Sequence, residues 1–463
     1  MFRKWTTTSI LRKSLKRLSG YRFVNSTFYL LPSSIRLRLT KSLIFVSNSN
    51  LSPNNVSKKY NSSKTPSDEW GNAKYREFAP SQVKFHDGTD VLIAVGSLAV
   101  SGGTSIILEY AHALQQSGAN VSIGYMRGKL SDSDWHHLSK NFRIQHLNFF
   151  KNESFDLGIM TWWKTVEPLL SMNCEKYVYF VQSLESRFAI NSRDSDEEIA
   201  AASTYLIDIP MITVALWLQN VLIASSKTPT WRVKNGIDKE IFPLCTEDSW
   251  AKRNDSSEIR YLVEGTYGIP MKAVAETLQV CSDLGLKSVT YINPGLANPE
   301  IPGVKVLNQI PMSKMYDIYL KHDVLIKMTR VEALALPPLE AFHAGCTTII
   351  SKVTGSEEYI HDGMNALYVE VDDFTALKEI LISIEADPSV IPRLKAGAIS
   401  TASHWPDIRS TALEFVSICY TILASETLGN RPSAEPASLL KHARAKIENS
   451  NFLTTLLLNL TNQ

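Results

Sequence analysis

The sequence predicts an α/β protein built from two Rossmann-like halves that face each other across a cleft. The first observation is the order strand, glycine loop, helix and strand over residues 90–125, which is one right-handed crossover unit. The second observation is the same order over residues 259–292. The third is a polar, charged stretch at residues 245–258, which we interpret as an interdomain linker. Two such halves leave a deep cleft between them, where ligands commonly bind.

Residues 90–95 open the first half as a short apolar run, which is typical of a buried parallel strand. A loop at residues 101–104 precedes a helix, and residues 120–125 form the next strand. The apolar positions of the helix recur at helical spacing at Ile106, Ile107, Tyr110, Ala111 and Leu114. Gly102 and Gly103 leave room for an anion or a substrate to approach the helix N-terminus. A tight turn between a strand and a helix uses glycine for structural reasons just as often.

Two further strands are predicted at residues 156–161 and 176–182, and both end in polar side chains. Ligands bind outside the carboxyl ends of parallel strands. The residues that this rule places near the cleft are Thr161, Trp162, Gln182 and Glu185. For Trp162 and its neighbour Trp163, however, we expect packing in the core.

The second half begins with a strand at residues 259–263 and a glycine loop at 265–268. A helix at residues 271–284 and a strand at 288–292 follow. Its most informative segment starts with another strand at residues 323–328. Later in this segment a helix begins at the pair Pro337 and Pro338, because proline is favoured in a first helical turn, and Gly345 ends that helix.

Glu332 and Glu340 flank the N-terminus of this helix. We place Glu340 in the first turn, where the helix dipole stabilises a negative charge by roughly 0.3–1 kcal/mol. Dipole complementarity alone would explain Glu340, but its pairing with Glu332 indicates a ligand. The two carboxylates can accept hydrogen bonds from sugar or ribose hydroxyls while helix N–H groups hold phosphates.

Several motifs, in order over roughly residues 85–400, resemble the retaining family-4 glycosyltransferases of GT-B fold, closest to bacterial polysaccharide glycosyltransferases of rhamnosyltransferase-like type. The family signature is a glutamate, seven residues and a second glutamate, which matches Glu332 and Glu340. The other matching segments are Gly102-Gly103, residues 179–182, residues 235–238 with Phe242, Gly345, Thr354-Gly355, residues 357–360 and residues 362–367.

The resemblance implies that Glu340 binds the donor ribose, Glu332 contacts the transferred sugar and Lys272 neutralises the diphosphate. It implies further donor contacts at Gly102, Gly103, Arg330, Leu336, Pro337, Pro338 and Leu339. It places the acceptor or the sugar beside Thr161, Gln182 and Glu185. The expected reaction moves a sugar from a nucleotide diphosphate sugar to a polysaccharide or a lipid-linked acceptor, with retention and with neither a cofactor nor a metal ion.

The sequence also departs from the family pattern. Ala333 and Ala335 stand where the family usually has glycine, and Gln182 stands where many relatives have histidine. The arginine that commonly precedes the lysine is missing, and Arg330 or Arg187 are candidates to supply its charge. The alternative prediction is therefore a catalytically weakened GT-B domain that binds a sugar or a partner. A nicotinamide-dependent enzyme is disfavoured, because no G-x-G-x-x-G opens a helix after a strand.

The basic residues are concentrated at the N-terminus. Residues 1–67 hold 13 of the 48 Lys and Arg and no acidic residue, so the remaining 35 basic residues face 46 acidic ones, a formal charge of −11. This local basic character argues against nucleic-acid binding and favours an anionic membrane surface. A transit peptide and a solvated leader are the alternatives, and residues 47–67 are typical of a flexible linker.

Five scattered cysteines indicate reduced thiols, and no apolar run reaches 18 residues. We therefore expect a cytoplasmic protein, peripheral on the inner face of the cell membrane. His343 and His361 are expected to be structural, and the last helix to pack on the first domain. The predicted segments are a basic extension and linker at 1–67, an acceptor-side domain at 68–244, a linker at 245–258, a donor-side domain at 259–410, and C-terminal helices and a tail at 411–463.

Overall fold

The computed structural model describes residues 83–448, apart from residues 87, 190–194, 227, 247–257, 296 and 298. Two parallel sheets carry the fold, one in each predicted half, which confirms the predicted pair of Rossmann-like domains. The basic extension at residues 1–67 and most of the predicted linker lie outside the described residues, so what we expect of them stays a prediction.

The first sheet has seven strands in the order β3-β2-β1-β4-β5-β6-β7. They are β1 (Asp90–Ser97), β2 (Asn120–Arg127), β3 (Arg143–His146), β4 (Ser154–Met160), β5 (Asn173–Val181), β6 (Met211–Thr213) and β7 (Thr230–Arg232). All neighbouring strands are parallel, and Val91 of β1 lies beside Val121 of β2 and Leu157 of β4. Helices cover both faces of such a sheet, so its central strands are apolar throughout.

The described residues of the first domain form the helices α1 (Gly102–Gln116), α2 (Trp163–Leu170), α3 (Ser186–Ala189), α4 (Ser195–Thr204) and α5 (Leu216–Ser225). Short 3-10 segments lie at Leu130–Ser133, His137–Asn141 and Leu147–Phe150. Ser101 caps α1, because its hydroxyl accepts a hydrogen bond from the N–H of Thr104 over 3.0 Å. Gly102 and Gly103 are therefore the first two residues of the helix, and the loop ends at Ser101.

The second sheet has six strands in the order β10-β9-β8-β11-β12-β13. They are β8 (Tyr261–Glu264), β9 (Val289–Asn293), β10 (Lys305–Asn308), β11 (Val324–Lys327), β12 (Thr347–Ser351) and β13 (Ala366–Val369). The helices that the described residues of this domain form are α6 (Val274–Asp283), α7 (Met312–Leu320), α8 (Leu336–His343), α9 (Phe374–Ala386) and α10 (Val390–His404). All pairs are again parallel, and a single apolar cluster joins this sheet to α6 and α9.

Two helix boundaries differ from the prediction. Lys272 belongs to a 3-10 turn, Pro270–Lys272, and Ala273 then takes the left-handed conformation (φ 48°) before α6 begins. Helix α8 begins at Leu336, and the two prolines are its second and third residues. Glu340 is consequently the fifth residue of α8 and lies in its second turn, so its predicted place in the first turn was wrong.

The C-terminal helices return to the first domain. The returning chain meets Ile237. The N–H of Ile237 donates to the carbonyl oxygen of Pro406, and its carbonyl oxygen accepts from the N–H of Ile408, over 3.0 Å each. Helix α11 (Ile408–Ala424) then packs on α1 and β5, and α12 (Pro436–Glu448) packs on α4 and α2. The prediction that the last helix packs on the first domain is confirmed for α12, and residues 449–463 lie outside the described part.

Trp162 and Trp163 are half-buried, which corrects their expected place in the core. They follow the end of β4, where the sheet opens towards the cleft. Trp162 covers Gly96, at which an added Cβ would lie 2.5 Å from the indole ring. The guanidinium of Arg127 lies 5.2 Å from the ring centroid of Trp162, and the ammonium of Lys164 lies 4.6 Å from that of Trp163.

The helices that the structure describes are all too short or too polar to serve as membrane-spanning segments.

Candidate active site

The strand order reverses at one point in each sheet. This point lies between β1 and β4 in the first domain and between β8 and β11 in the second. The loops after two such strands turn to opposite faces of the sheet, which leaves a crevice where ligands bind in open parallel sheets. In the second domain the chain after β8 carries Lys272 and the loop after β11 carries Glu332. Topology thus brings two predicted site residues to one crevice.

Lys272 and Glu332 form an ion pair in this crevice. The Nζ atom of Lys272 donates to Oε1 of Glu332 over 2.7 Å, and the hydroxyl of Thr329 lies 3.0 Å from the same oxygen. Burial alone would raise the pKa of Glu332, but the ammonium groups of Lys272 and Lys327 outweigh it and hold this pKa below its ordinary value. Glu332 is therefore ionised at neutral pH and can accept hydrogen bonds from hydroxyl groups.

Arg330 holds the turn that carries Lys272. Its guanidinium donates to the carboxylates of Glu276 and Asp372, over 2.7 and 2.5 Å, and to the carbonyl oxygen of Pro270. The resemblance implied a donor contact for Arg330 and made it a candidate for the missing positive charge. These three partners tie its guanidinium to the turn, and the donor contact stays a prediction.

Sequence reasoning missed Lys327 and Glu264, which lie at the base of the crevice. Lys327 ends β11 with its side chain 4% exposed, and its ammonium donates a hydrogen bond to the carboxylate of Glu264 at the end of β8. Burial alone would lower the pKa of Lys327, but the carboxylates of Glu264, Glu332 and Glu340 outweigh it and raise this pKa. The available signal was a single charged residue that closes an otherwise apolar strand.

Glu340 faces the same cluster from α8. Its Oε2 accepts a hydrogen bond from the hydroxyl of Tyr319 over 3.1 Å. Burial raises the pKa of Glu340 to about 7; the negative charge of Glu264 adds to this, whereas the Tyr319 hydrogen bond and Lys327 act against it. Glu332 and Glu340 thus differ in pKa: Glu332 bonds directly to the ammonium group of Lys272, whereas Glu340 bonds to the hydroxyl of Tyr319.

The N-terminus of α8 offers few backbone donors. A helix leaves its first four N–H groups without intrahelical partners, but Pro337 and Pro338 have none to offer. Ala335 and Leu336 remain as donors for an anion, together with the positive end of the helix dipole. Leu336 and Pro337 are half-buried at the crevice, whereas Pro338 and Leu339 are buried in the domain.

Gly102 brings the first domain against this helix. A Cβ added at Gly102 would lie 3.7 Å from Cδ1 of Leu336, so the start of α1 faces the start of α8. A Cβ at Gly103 would lie 3.2 Å from Oε1 of Gln182. The structure therefore brings together four of the predicted residues, Gly102, Gly103, Gln182 and Leu336, where the two domains meet.

Thr161 and Glu185 lie deeper than their neighbours. Thr161 is buried and its hydroxyl donates to the carbonyl oxygen of Ala94 over 2.8 Å. Glu185 is 8% exposed and accepts hydrogen bonds from the N–H of Trp163 (2.8 Å) and the hydroxyl of Tyr179 (3.3 Å). Burial raises the pKa of Glu185 to about 8, so this carboxyl group is mostly protonated at pH 7. Both side chains fix the strand ends beneath the cleft.

Arg187 crosses from the first domain to the second. Its guanidinium donates to the hydroxyl of Thr354 over 2.8 Å and lies 5.5 Å from the ring centroid of Trp217. Burial lowers the pKa of Arg187 to about 10, and the negative charge of Glu332 partly offsets this effect. Arg187 was the other candidate for the missing charge, and the structure places it within electrostatic reach of Glu332.

Two contacts fix the loop of Glu332 at the carbonyl of Ala333. The indole N–H of Trp217 donates to this carbonyl oxygen over 2.8 Å. Gly355 (φ +85°) touches the same carbonyl, since a Cβ there would lie 1.8 Å from that oxygen. The two domains are also joined by Glu358, whose carboxylate accepts hydrogen bonds from the N–H of Leu216 and from Arg232.

His343 is buried at the end of α8, where burial lowers its pKa to about 4 and keeps the ring neutral at pH 7. His361 is exposed in the turn before β13. Neither ring is among the groups that meet at the crevice.

Part of the second domain matches a known protein family. Residues 300–401, which include Glu332, Glu340 and all of α8, match the family described as glycosyl transferases group 1. No curated protein matches the chain by sequence.

Solved structures share the fold at low sequence identity. Sucrose-phosphate synthase from Thermosynechococcus elongatus superimposes with a TM-score of 0.61 at 15% identity, over 73% of this chain and 100% of that one. Anabaena HepE, solved in complex with UDP-glucose, superimposes with a TM-score of 0.57 at 12% identity, over 72% and 99% of the two chains. WaaG, a glycosyltransferase involved in lipopolysaccharide biosynthesis, gives a TM-score of 0.56 at 13% identity, over 71% and 99%.

The two parallel sheets, the crevice at their switch points and these similarities identify a protein of GT-B fold whose second domain contains a glycosyl transferases group 1 segment.

Proposed function

We propose that the protein is a retaining glycosyltransferase that moves a sugar from a nucleotide diphosphate sugar to a carbohydrate acceptor. The observation that carries this proposal is the ion pair of Lys272 and Glu332 beside α8, opposite Gly102 of the first domain. A sugar diphosphate presents hydroxyl groups and two negative phosphates, and this crevice offers ionised carboxylate oxygens next to ammonium groups.

In the proposed reaction the bond between the anomeric carbon and the diphosphate oxygen breaks, and the electron pair leaves with the diphosphate. The acceptor hydroxyl attacks the anomeric carbon from the face that the diphosphate leaves, and its proton passes to the departing phosphate. Lys272 stabilises the negative charge that develops on the diphosphate. Glu332 then exchanges its partner and binds hydroxyls of the transferred sugar, while Glu340 binds the ribose.

Arg187 is our candidate for the second positive charge at the diphosphate. It reaches the second domain at Thr354, and its planar guanidinium suits bidentate binding of phosphate oxygens. We expect Arg187→Lys to keep the charge but lose this geometry, with a rise in donor KM of roughly tenfold. An unchanged KM in Arg187→Ala would remove Arg187 from the proposal.

The test is to incubate the full-length protein with a panel of UDP-, GDP-, dTDP- and ADP-sugars and to measure release of the nucleoside diphosphate. UDP-glucose comes first, because HepE was solved with it. Proton NMR of the product then gives the anomeric configuration. An α-product from an α-donor supports retention, and a β-product contradicts it. No release with any donor, in the presence of oligosaccharide and lipid-linked acceptors, contradicts the enzymatic proposal.

The second candidate is a sugar- or partner-binding module. It is motivated by the ion pair in which Lys272 and Glu332 already bind each other, and by Ala333, whose carbonyl is fixed by Trp217. Such a module would bind a nucleotide sugar in calorimetry but release no diphosphate. Binding with release supports the enzyme, and binding without release supports the module.

We further propose that the acceptor is a polysaccharide or a lipid-linked sugar at a membrane surface. The support is the charge of residues 1–67, which hold 13 basic and no acidic residues. Each basic residue near an anionic bilayer contributes about 1 kcal/mol of attraction. Co-sedimentation of the full-length protein with vesicles that contain phosphatidylserine, and loss of binding after Lys and Arg within residues 11–18 are changed to Gln, would support this. Equal binding to neutral vesicles would contradict it.

A further inference from the structure

Three potential metal ligands meet in the first domain, away from Lys272 and Glu332. Glu109 lies on α1. His137 begins the second 3-10 segment between β2 and β3, His137–Asn141, and His136 is the N-cap of that segment. One ligand atom from each of the three side chains lies within 4.8 Å of the other two. From this geometry we propose that Glu109, His136 and His137 bind a zinc-type divalent cation.

The first support is an unsatisfied oxygen. The Oε1 atom of Glu109 is buried and accepts no hydrogen bond from any residue that the structure describes. It lies 3.7 Å from Nε2 of His136, which is too far for a hydrogen bond. A buried carboxylate oxygen without a donor is unfavourable, and a cation between the two atoms would satisfy it.

The second support is the set of ligand types. Two imidazoles and one carboxylate, with a water in the fourth position, form a ligand set that zinc takes in proteins. Ligand atoms about 2.0–2.2 Å from a tetrahedral ion lie about 3.4 Å from one another. The rings of His136 and His137 are stacked, with centroids 5.0 Å apart and planes 17° apart, so their nitrogen lone pairs lie in nearly parallel planes. The ring of His137 must therefore turn out of the stack to bind the same ion, and its exposed side chain has the freedom to do so.

Binding also changes two hydrogen bonds of His136. The N–H of Leu138 donates to Nδ1 over 3.3 Å, so the proton of the neutral ring lies on Nε2, which is 3.2 Å from the hydroxyl oxygen of Ser105. An ion on Nε2 needs the ring proton on Nδ1, so the Leu138 hydrogen bond is lost and Ser105 no longer accepts one from Nε2. The metal bonds replace both interactions.

The ion would connect the segment after β2 to α1. Ser105, one turn before Glu109 on α1, also contacts the sulfur of Met312 at the start of α7, over 3.6 Å. The proposed site therefore adjoins the seam between the domains and would hold the segment after β2 against it. The proposed metal site is separate from the proposed sugar-transfer site, and neither proposal depends on the other.

The test uses the full-length protein after removal of metals with a chelator. Calorimetry with ZnCl2 gives the affinity, and the visible absorption of added Co²⁺ reports nitrogen and oxygen ligands. The variants are His137→Gln, whose side chain is exposed, and Glu109→Gln. His442→Gln is the matched control, because His442 is exposed on α12.

We expect one bound ion in the wild type and in the His442 control, with a thermal midpoint that rises on addition of ZnCl2. His137→Gln and Glu109→Gln should bind at least tenfold more weakly, because loss of a supporting second-shell partner alone costs about 10–100-fold. Two results would overturn the proposal: a wild type that binds no ion, or variants that bind zinc as tightly as the wild type.

Discussion

Lys272 donates a hydrogen bond to Glu332 over 2.7 Å, although 60 residues separate them in the sequence. Both residues follow strands that flank the switch point of the second sheet, β8 and β11. The ion pair holds the carboxylate in its ionised form. In our proposal its ammonium group stabilises the charge that develops on the diphosphate.

Replacing Arg330 with Met should lower kcat/KM by roughly ten- to a hundredfold. The turn of Lys272 then loses its contacts with Glu276 and Asp372, and a small displacement of a catalytic group is costly. The free energy of unfolding should change by less than about 1 kcal/mol, because these ion pairs are partly exposed. Steady-state kinetics and urea unfolding check both. Arg330→Lys should rescue activity only in part, since ammonium lacks the guanidinium fork. Full activity in Arg330→Met would contradict a positioning role for Arg330.

Donor binding should depend on the ionisation of Glu340, whose pKa burial raises to about 7. Only the ionised carboxylate accepts two hydroxyl hydrogen bonds freely. The donor KM should therefore fall as pH rises from 6 to 8, and Glu340→Gln should give a flat profile with a higher KM. Removal of the Tyr319 hydrogen bond in Tyr319→Phe should shift the midpoint to higher pH, because that bond lowers the pKa. A wild-type KM that is constant over this range would contradict the assignment.

The same carboxyl group affects stability with a defined sign. Its folded-state pKa exceeds the ordinary value of 4.5, so the folded protein binds the proton more tightly than the unfolded chain does. Its contribution to stability is complete below pH 4.5 and is lost as pH rises through about 7. The difference in the free energy of unfolding between Glu340→Gln and the wild type should therefore grow in favour of the variant over this range. A difference independent of pH would contradict the raised pKa.

Gly355→Ala should destabilise the protein strongly. The new Cβ would lie 1.8 Å from the carbonyl oxygen of Ala333, and φ is +85°. The left-handed backbone costs about 1–2 kcal/mol, and the overlap adds roughly 1–3 kcal/mol. Gly363→Ala is the matched control, because φ is +69° there and no atom lies within 4 Å. Urea unfolding should show the larger loss for Gly355→Ala, and equal losses would exclude the close contact.

Gly102→Ala should separate activity from stability. Its Cβ would be in ordinary contact with Leu336. Alanine is favoured over glycine by about 0.5–1 kcal/mol in the middle of a helix, and Gly102, the first residue of α1, should gain at most that much. The melting temperature should therefore stay or rise. The donor KM should increase, because the methyl group enters the gap between α1 and α8. Unchanged kinetics would place the donor elsewhere.

Prediction from sequence was most successful where backbone pattern decides the outcome. Short apolar runs at residues 90–95 and 323–328 marked buried strands, and the prolines after Leu336 marked the start of α8. The helical turn of Glu340 was predicted wrongly. Proline is tolerated at any position of the first turn, so Pro337 and Pro338 did not show that the helix begins one residue earlier, at Leu336.

Partners of charged side chains could not be predicted in the same way. Arg330 and Arg187 are both arginines near the motifs, yet one bonds to Glu276 and Asp372 and the other crosses to Thr354. That choice depends on which loops the folded sheets bring together. A buried lysine is stable only beside a carboxylate. The carboxylate partner of Lys327 is Glu264, on a strand 63 residues away in sequence, so no local pattern could indicate that Lys327 is buried in the site.

The most direct test of the central claim is the rate of nucleoside diphosphate release by Lys272→Gln and Glu332→Gln, with Lys378→Gln as an exposed control. We expect both site variants to lose about 10²–10³-fold in kcat, with melting temperatures close to the wild type and a fully active control. Release by both site variants at rates within twofold of the wild type would contradict a diphosphate site at this ion pair.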